Sequence, residues 1–307
     1  MKIQAFALVL LGVLSACGPK EFHEQQEFNT GATETTSGTE SKITNGLGST
    51  PRSFVSNNTV AIVTNYNEKT FEYFGFCTGV RLTPTLIITA AHCIAKIEKM
   101  RVVLGTNIQH AIRSGENVFE IENAIMHNQF SLQTQALERR FYDIALIKLK
   151  RALPANDDRF ILASQFEDSL STSQYLHQND VEDNKAHLQL NPSIAGFGVS
   201  FRKNADSKLP TKLIGTLNEA PILLKSSDYI HRIIQLAPAS PSQACVGDSG
   251  GALYIWRGDH FYLQGLTISI KEEIGADPFA KTICEKESSY LNLDHFKTWI
   301  MTTAQEL

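Results

Sequence analysis

Charge of one sign is scarce in this sequence: 28 Lys and Arg against 32 Asp and Glu leave a formal −4 over 307 residues. So even a balance points away from the basic surface that nucleic acid demands and from a patch drawn to acidic membranes. Internal repeats at solenoid periods are absent, and no cluster of ligand-type residues suggests a metal. Cysteines number only five, an odd count that leaves one over when the others pair. The apolar run inside MKIQAFALVLLGVLSAC, residues 1–17, is too short and wrongly flanked for a transmembrane helix, and it reads as a secretory signal. Composition is otherwise that of a soluble globular protein, with 42% hydrophobic, 20% charged and 9% aromatic residues. The length allows two domains, or one all-β unit of more than about 200 residues.

What is present changes character along the chain. Residues 18–42 hold five glutamates against two lysines and almost nothing to bury, so they read as a disordered tether. Beyond them, short β-rich runs follow one another, punctuated by Asn65, Asn67, Gly105 and Gly115. In the first half these are Thr59–Thr64, Phe71–Val80, Leu86–Thr89, Met100–Gly105, Val118–Ile125 and Ile144–Leu149. The second half holds Leu188–Gly198, Leu213–Leu217, Ile230–Leu236, Ala252–Trp256, Tyr262–Ile270 and Tyr290–Leu293. The polar stretch 164–187 reads as a long connection between the halves. At the end, DHFKTWIMTTAQEL suggests a helix capped by Asp294 that presents Phe296, Trp299 and Ile300 on one face.

Chemistry concentrates at Gln243–Leu253, QACVGDSGGAL. Glycines around Ser249 free the backbone to turn the N–H groups of Gly247 and Ser249 toward one point, as an oxyanion hole requires. The same letters also satisfy a glycine-rich surface turn and the G-x-S-x-G elbow of α/β-hydrolases. The elbow needs a helix next, and the sequence offers the strand-like Ala252–Trp256 instead; its histidine would have to be His260 or His295.

Two upstream segments, LIITAAHC at 86–93 and FYDIALIKL at 141–149, decide the matter. Together with GDSGG they resemble the trypsin/chymotrypsin family of serine peptidases, in the order His, Asp, Ser. The resemblance covers roughly 43–307 and implies an all-β fold: two antiparallel β-barrels of the chymotrypsin type, about 43–163 and 188–307, with a C-terminal helix. It implies His92 as general base, Asp143 as its orienting carboxylate and Ser249 as nucleophile. This chemistry uses no metal or organic cofactor, and its partners are protein or peptide substrates.

The resemblance also implies disulfides Cys77–Cys93 and Cys245–Cys284, outside the reducing cytoplasm. Cys17 is then the odd cysteine, and Leu14-Ser15-Ala16-Cys17 resembles a bacterial lipobox, the membrane being reached through that lipid alone. The implied location is the bacterial cell envelope, with release after cleavage. Lys42 followed by Ile43-Thr44-Asn45-Gly46 resembles the family's activation site. There a second protease frees an Ile43 amino group, which pairs with Asp248.

Some family features are missing. Gln243 stands where trypsin-like enzymes keep an aspartate for basic substrate side chains, and Phe197 stands where Gly-Trp-Gly is usual. Aligning Gly265 with the family's strand glycine puts Ile268 in place of a common serine and Ile270 in place of a pocket-opening glycine. A one-residue slip puts Ser269 in the serine's place; Ser288 is a further pocket position. A narrowed, uncharged specificity pocket is expected. The stretch 271–283 is longer than the family's usual loop.

Overall fold

The chain divides into units 1–38 and 39–307. The computed structural model describes residues 47–48, 54–130, 140–155, 160–162, 192–202, 211–228, 232–236, 240–257, 260–270, 284 and 287–307. Cys17, the tether, Lys42, Ile43 and the stretches 164–187 and 271–283 lie outside the described residues.

A six-stranded antiparallel barrel forms the first half. Its strands are β2 (Thr59–Thr64), β3 (Gly75–Thr83), β4 (Leu86–Thr89), β5 (Arg101–Leu104), β6 (Val118–Met126) and β7 (Ala145–Leu149), closed in the order β2-β3-β4-β7-β6-β5. In β2 every residue from Val60 to Val63 is fully buried, because successive side chains point to opposite faces and both faces are covered. Val60 and Ile62 join Ile87, Val102, Phe119 and Ile147 in the barrel's own core. Ala61 and Val63 join a core shared with Phe197, Leu266 and Leu291 of the second half. Each large apolar side chain so placed contributes about 1.5–3 kcal/mol.

The second half is a nine-stranded sheet. It contains β1 (Leu47–Gly48), β8 (Phe160–Leu162), β9 (Pro192–Gly196), β12 (Asn218–Pro221), β13 (Leu224–Asp228), β14 (Ile233–Leu236), β15 (Ala252–Arg257), β16 (His260–Ile270) and β17 (Ser288–Asn292). The main path runs β1-β12-β9-β15-β16-β17-β14-β13, with β8 parallel to β16. Only Ile222 and Leu223 separate β12 from β13, so the sheet curls back on itself. A separate ribbon pairs β10 (Ser200–Arg202) with β11 (Thr211–Leu213). Leu47–Gly48 and Phe160–Leu162, which the sequence groups with the first half, both pair with strands of the second. The chain thus crosses between halves at each end of the first barrel.

Three local readings are corrected, and one helix is found where none was expected. The strand expected from Phe71 begins only at Gly75, because Phe71 has φ 58 and belongs to a turn. Leu213–Leu217 is interrupted at Gly215, whose φ of 70 ends the ladder. Residues 108–114 form a helix, α2 (Ile108–Ser114), behind a short helix α1 (Phe54–Asn58). Asn107 caps α2 by accepting from His110 N–H, and Gly115 closes it in the left-handed region. Finally, Asn292, not Asp294, caps the C-terminal segment: its Oδ1 accepts from Asp294 N–H at 3.2 Å. A 3₁₀ turn then leads into α3 (Lys297–Glu306), whose approach buries Phe296 and Ile300 and half-buries Trp299.

Candidate active site

Register explains how His92 and Asp143 meet. β4 and β7 pair with Thr89 opposite Ala145, so the turn Ala91–Cys93 that leaves β4 lies beside the turn Arg140–Tyr142 that enters β7. Asp143 is buried and holds His92 at two points. Its Oδ1 accepts from His92 N–H at 2.8 Å, and its Oδ2 accepts from His92 Nδ1–H at 2.6 Å. With the Nδ1 proton engaged, the neutral imidazole carries its free lone pair on Nε2. Tyr142 anchors the aspartate's turn by packing on His127, Phe296 and Arg232, with the ring of His127 stacked at 5.0 Å. Burial, then the Arg232 charge, pushes the His127 pKa down, so this ring stays an uncharged packing group.

Ser249 reaches the same place from the other half. Thr78, fully buried on β3, does the joining: its N–H donates to Ser249 O at 2.8 Å and its hydroxyl to Gly247 O at 2.9 Å. The Thr78 hydroxyl also accepts from Phe197 N–H at 3.1 Å, and Thr89 Oγ1 donates to Thr78 O. Cys77, the neighbour of Thr78, is bonded to Cys93, the neighbour of His92. Cys93 Sγ lies 3.6 Å from Ser249 O. The sulfurs beside His92 are therefore a disulfide and not a thiolate pair for a metal. Nothing in the sequence singles out Thr78 as a site residue.

The loop itself is shaped by glycine. Gly247 has φ 97, and a Cβ there would lie 2.3 Å from the Phe76 ring. Among the described residues, neither Gly247 N–H nor Ser249 N–H donates to a protein acceptor, which leaves both for a developing oxyanion. The Ser249 hydroxyl and His92 Nε2 make no hydrogen bond to each other; such contacts often tighten only around bound substrate.

Asp248 is buried. Its Oδ1 accepts from Gly198 N–H at 2.7 Å and its Oδ2 from Cys245 N–H at 2.8 Å. Added Cβ atoms at Gly196 and Gly198 would come within 2.2 and 2.4 Å of this carboxyl, so the two glycines make its chamber. Burial raises the Asp248 pKa to about 6, against the lowering effect of those two N–H groups.

Of the expected pocket positions, Gln243 and Ser288 meet. Gln243 Oε1 accepts from Ser288 N–H at 3.1 Å and from Ser288 Oγ at 2.8 Å. With its proton so engaged, Ser288 Oγ accepts from Ala244 N–H and from Tyr290 Oη at 3.2 Å each. Ile270 lies opposite Ser288 in the β16–β17 register, and Ile268 is buried in the shared core. The second expected disulfide, Cys245–Cys284, is formed.

A closed barrel packed on a curled second sheet, with a C-terminal helix, defines the chymotrypsin type of fold. Residues 43–293 match the Trypsin family, and the chain belongs to that family. Among solved structures it is similar to mouse neuropsin, a serine protease expressed in the limbic system of the brain, with a TM-score of 0.55 and 19% identity. That likeness covers 84% of this chain and 98% of neuropsin, and it concerns the fold.

Proposed function

We propose that this protein is a serine endopeptidase with His92, Asp143 and Ser249 as its triad. One observation carries the reading: Asp143 clamps His92 in the tautomer a general base needs, beside a serine loop that offers two unengaged N–H groups. His92 Nε2 takes the Ser249 hydroxyl proton as Oγ attacks the scissile carbonyl. Gly247 and Ser249 N–H groups receive the oxyanion, and the imidazolium returns the proton to the departing amine. Water then releases the acyl group by the same base.

The proposal extends to how the enzyme is made. Residues 1–17 direct export, Cys17 takes the lipid in the cell envelope, and residues 18–42 tether a zymogen that another protease cuts after Lys42. The four remaining cysteines pair among themselves, so that cut both activates the catalytic unit and frees it from the lipid.

A fluorophosphonate probe on the Lys42-cleaved protein tests the activity. Labelling of Ser249, abolished in Ser249→Ala and reduced by at least about 10³-fold in His92→Ala, is expected. An unlabelled wild type identifies a binding protein built on a peptidase fold, and a His92→Ala variant that labels at the wild-type rate overturns His92 as the base.

A further inference from the structure

Building on that reading, we propose that Arg232 is a positioning residue for the reaction. Its guanidinium, set over the rings of Tyr142 and Phe296, holds the turn that carries Asp143, and through Asp143 the His92 imidazole. The backbone around the aspartate makes Tyr142 the lever. Ile144 N–H donates to Tyr142 O at 2.8 Å, closing a three-residue turn with Asp143 at its centre. On the other side of that turn, His127 N–H donates to Ile144 O at 2.9 Å. How the Tyr142 ring is held therefore sets where the Asp143 carboxylate points.

Arg232 comes from the other half of the fold, immediately before β14. Its guanidinium carbon lies 5.0 Å from the centroid of Tyr142 and 5.7 Å from that of Phe296. Both distances are inside the range in which a cation is drawn to an aromatic face. Phe296 meets Tyr142 edge-on at 6.3 Å, so one cation spans both rings. The backbone of Arg232 is fixed as well, its carbonyl accepting from Asn292 N–H at 2.9 Å.

Two features separate Arg232 from an ordinary structural arginine. It holds φ 58, in the left-handed region that suits glycine and is costly for a residue with a Cβ. Backbone strain kept in this way clusters at functional sites. Among the described residues its guanidinium also pairs with no carboxylate and donates no hydrogen bond, so the two rings are what engage it. The neighbouring histidines do not take over the charge. Burial first, and then the Arg232 charge, push His127 and His295 down, with Asp294 opposing at His295. Arginine stays charged at every working pH, so the cation over the turn is permanent.

The test follows the Lys42-cleaved protein by its rate of fluorophosphonate labelling and by kcat and KM on an Ala-Ala-Pro-Ala p-nitroanilide. In Arg232→Met and Arg232→Gly, labelling and kcat should fall together, roughly tenfold or more, with KM within about twofold. A slightly displaced carboxylate spoils proton transfer without touching substrate binding. Arg232→Lys returns a cation to the rings and should recover most of the loss. Arg232→Gly relieves the left-handed backbone, so its melting temperature should not fall and its lost activity is not lost fold. Arg151→Met removes another ring-bound cation, 3.8 Å from the Phe119 centroid in the first barrel, and should leave kcat unchanged. Wild-type kcat in Arg232→Met and Arg232→Gly, or an equal loss in Arg151→Met, overturns the inference. If the wild type neither labels nor cleaves the anilide, the catalytic reading fails. Proton NMR of Ser249→Ala then decides the inference. The His92 Nδ1 proton, shared with Asp143 across 2.6 Å, should resonate far downfield and leave that position when Arg232→Met is added. An identical resonance with and without Arg232→Met overturns it.

Discussion

At Asp248, two backbone N–H groups stand in for the cation that a buried carboxylate ordinarily requires. Its pKa in the fold, about 6, lies above the ordinary 3.8, so the folded chain binds this proton more tightly than the unfolded chain. The stabilisation is therefore complete below about pH 3.8 and lost as pH rises through about 6. For an uncut Ser249→Ala protein, thermal or urea unfolding should show about 2 kcal/mol more loss between about pH 4.5 and 7.5 than Asp248→Asn shows. Equal pH slopes would mean that the carboxyl is already compensated. In the proposed cleaved form the sign reverses. Pairing with the Ile43 amino group lowers the Asp248 pKa and raises that of the amine above its ordinary value of about 8. The ion pair is then lost as the amine deprotonates, and activity should decline at alkaline pH.

Among the elements, the join between the 240–251 loop and β17 is where the proposed specificity pocket would be set. Gln243 presents an amide whose oxygen is engaged by Ser288, and this contact supplies no charge to a substrate lysine or arginine. A buried cation without a counter-charge costs several kcal/mol. A peptide library should show preference for small or medium uncharged side chains before the scissile bond, with Gln243→Asp raising cleavage after Lys and Arg at least about tenfold. Dominant cleavage after basic residues in the wild type would refute this reading of the pocket. The Cys245–Cys284 bridge holds the middle of this loop, and Thr78 ties Gly247 to the first barrel.

Taken as a whole, the described residues of 39–307 bring two sheets together around one shared core. If the zymogen reading is right, trypsin-treated wild type gains activity and exposes Ile43 as its N-terminus, and Lys42→Gln does neither. Cys17→Ser should move the uncut protein from the envelope to the soluble fraction. Full activity of uncleaved Lys42→Gln would reduce residues 18–42 to a plain tether, and unchanged fractionation of Cys17→Ser would remove the lipid.

The strands β2 and β4 were legible residue by residue, because short β-branched runs between turn residues report on local pleat and burial. Segments around His92, Asp143 and Ser249 stood out for another reason: their residues resemble the motifs of a known peptidase family. Sequence could not show that β4 and β7 pair with Thr89 opposite Ala145, and that register alone decides whether the aspartate reaches the imidazole. Thr78 was invisible as a site residue because its partners, Gly247, Ser249 and Phe197, lie more than a hundred positions away. The helix at 108–114 is too short, at 7 residues, to show a helical period in sequence, and Asn107 and Gly115 cap it. What tertiary structure decided was thus the set of long-range contacts: which strand ends meet, and which carboxyl is buried beneath two glycines.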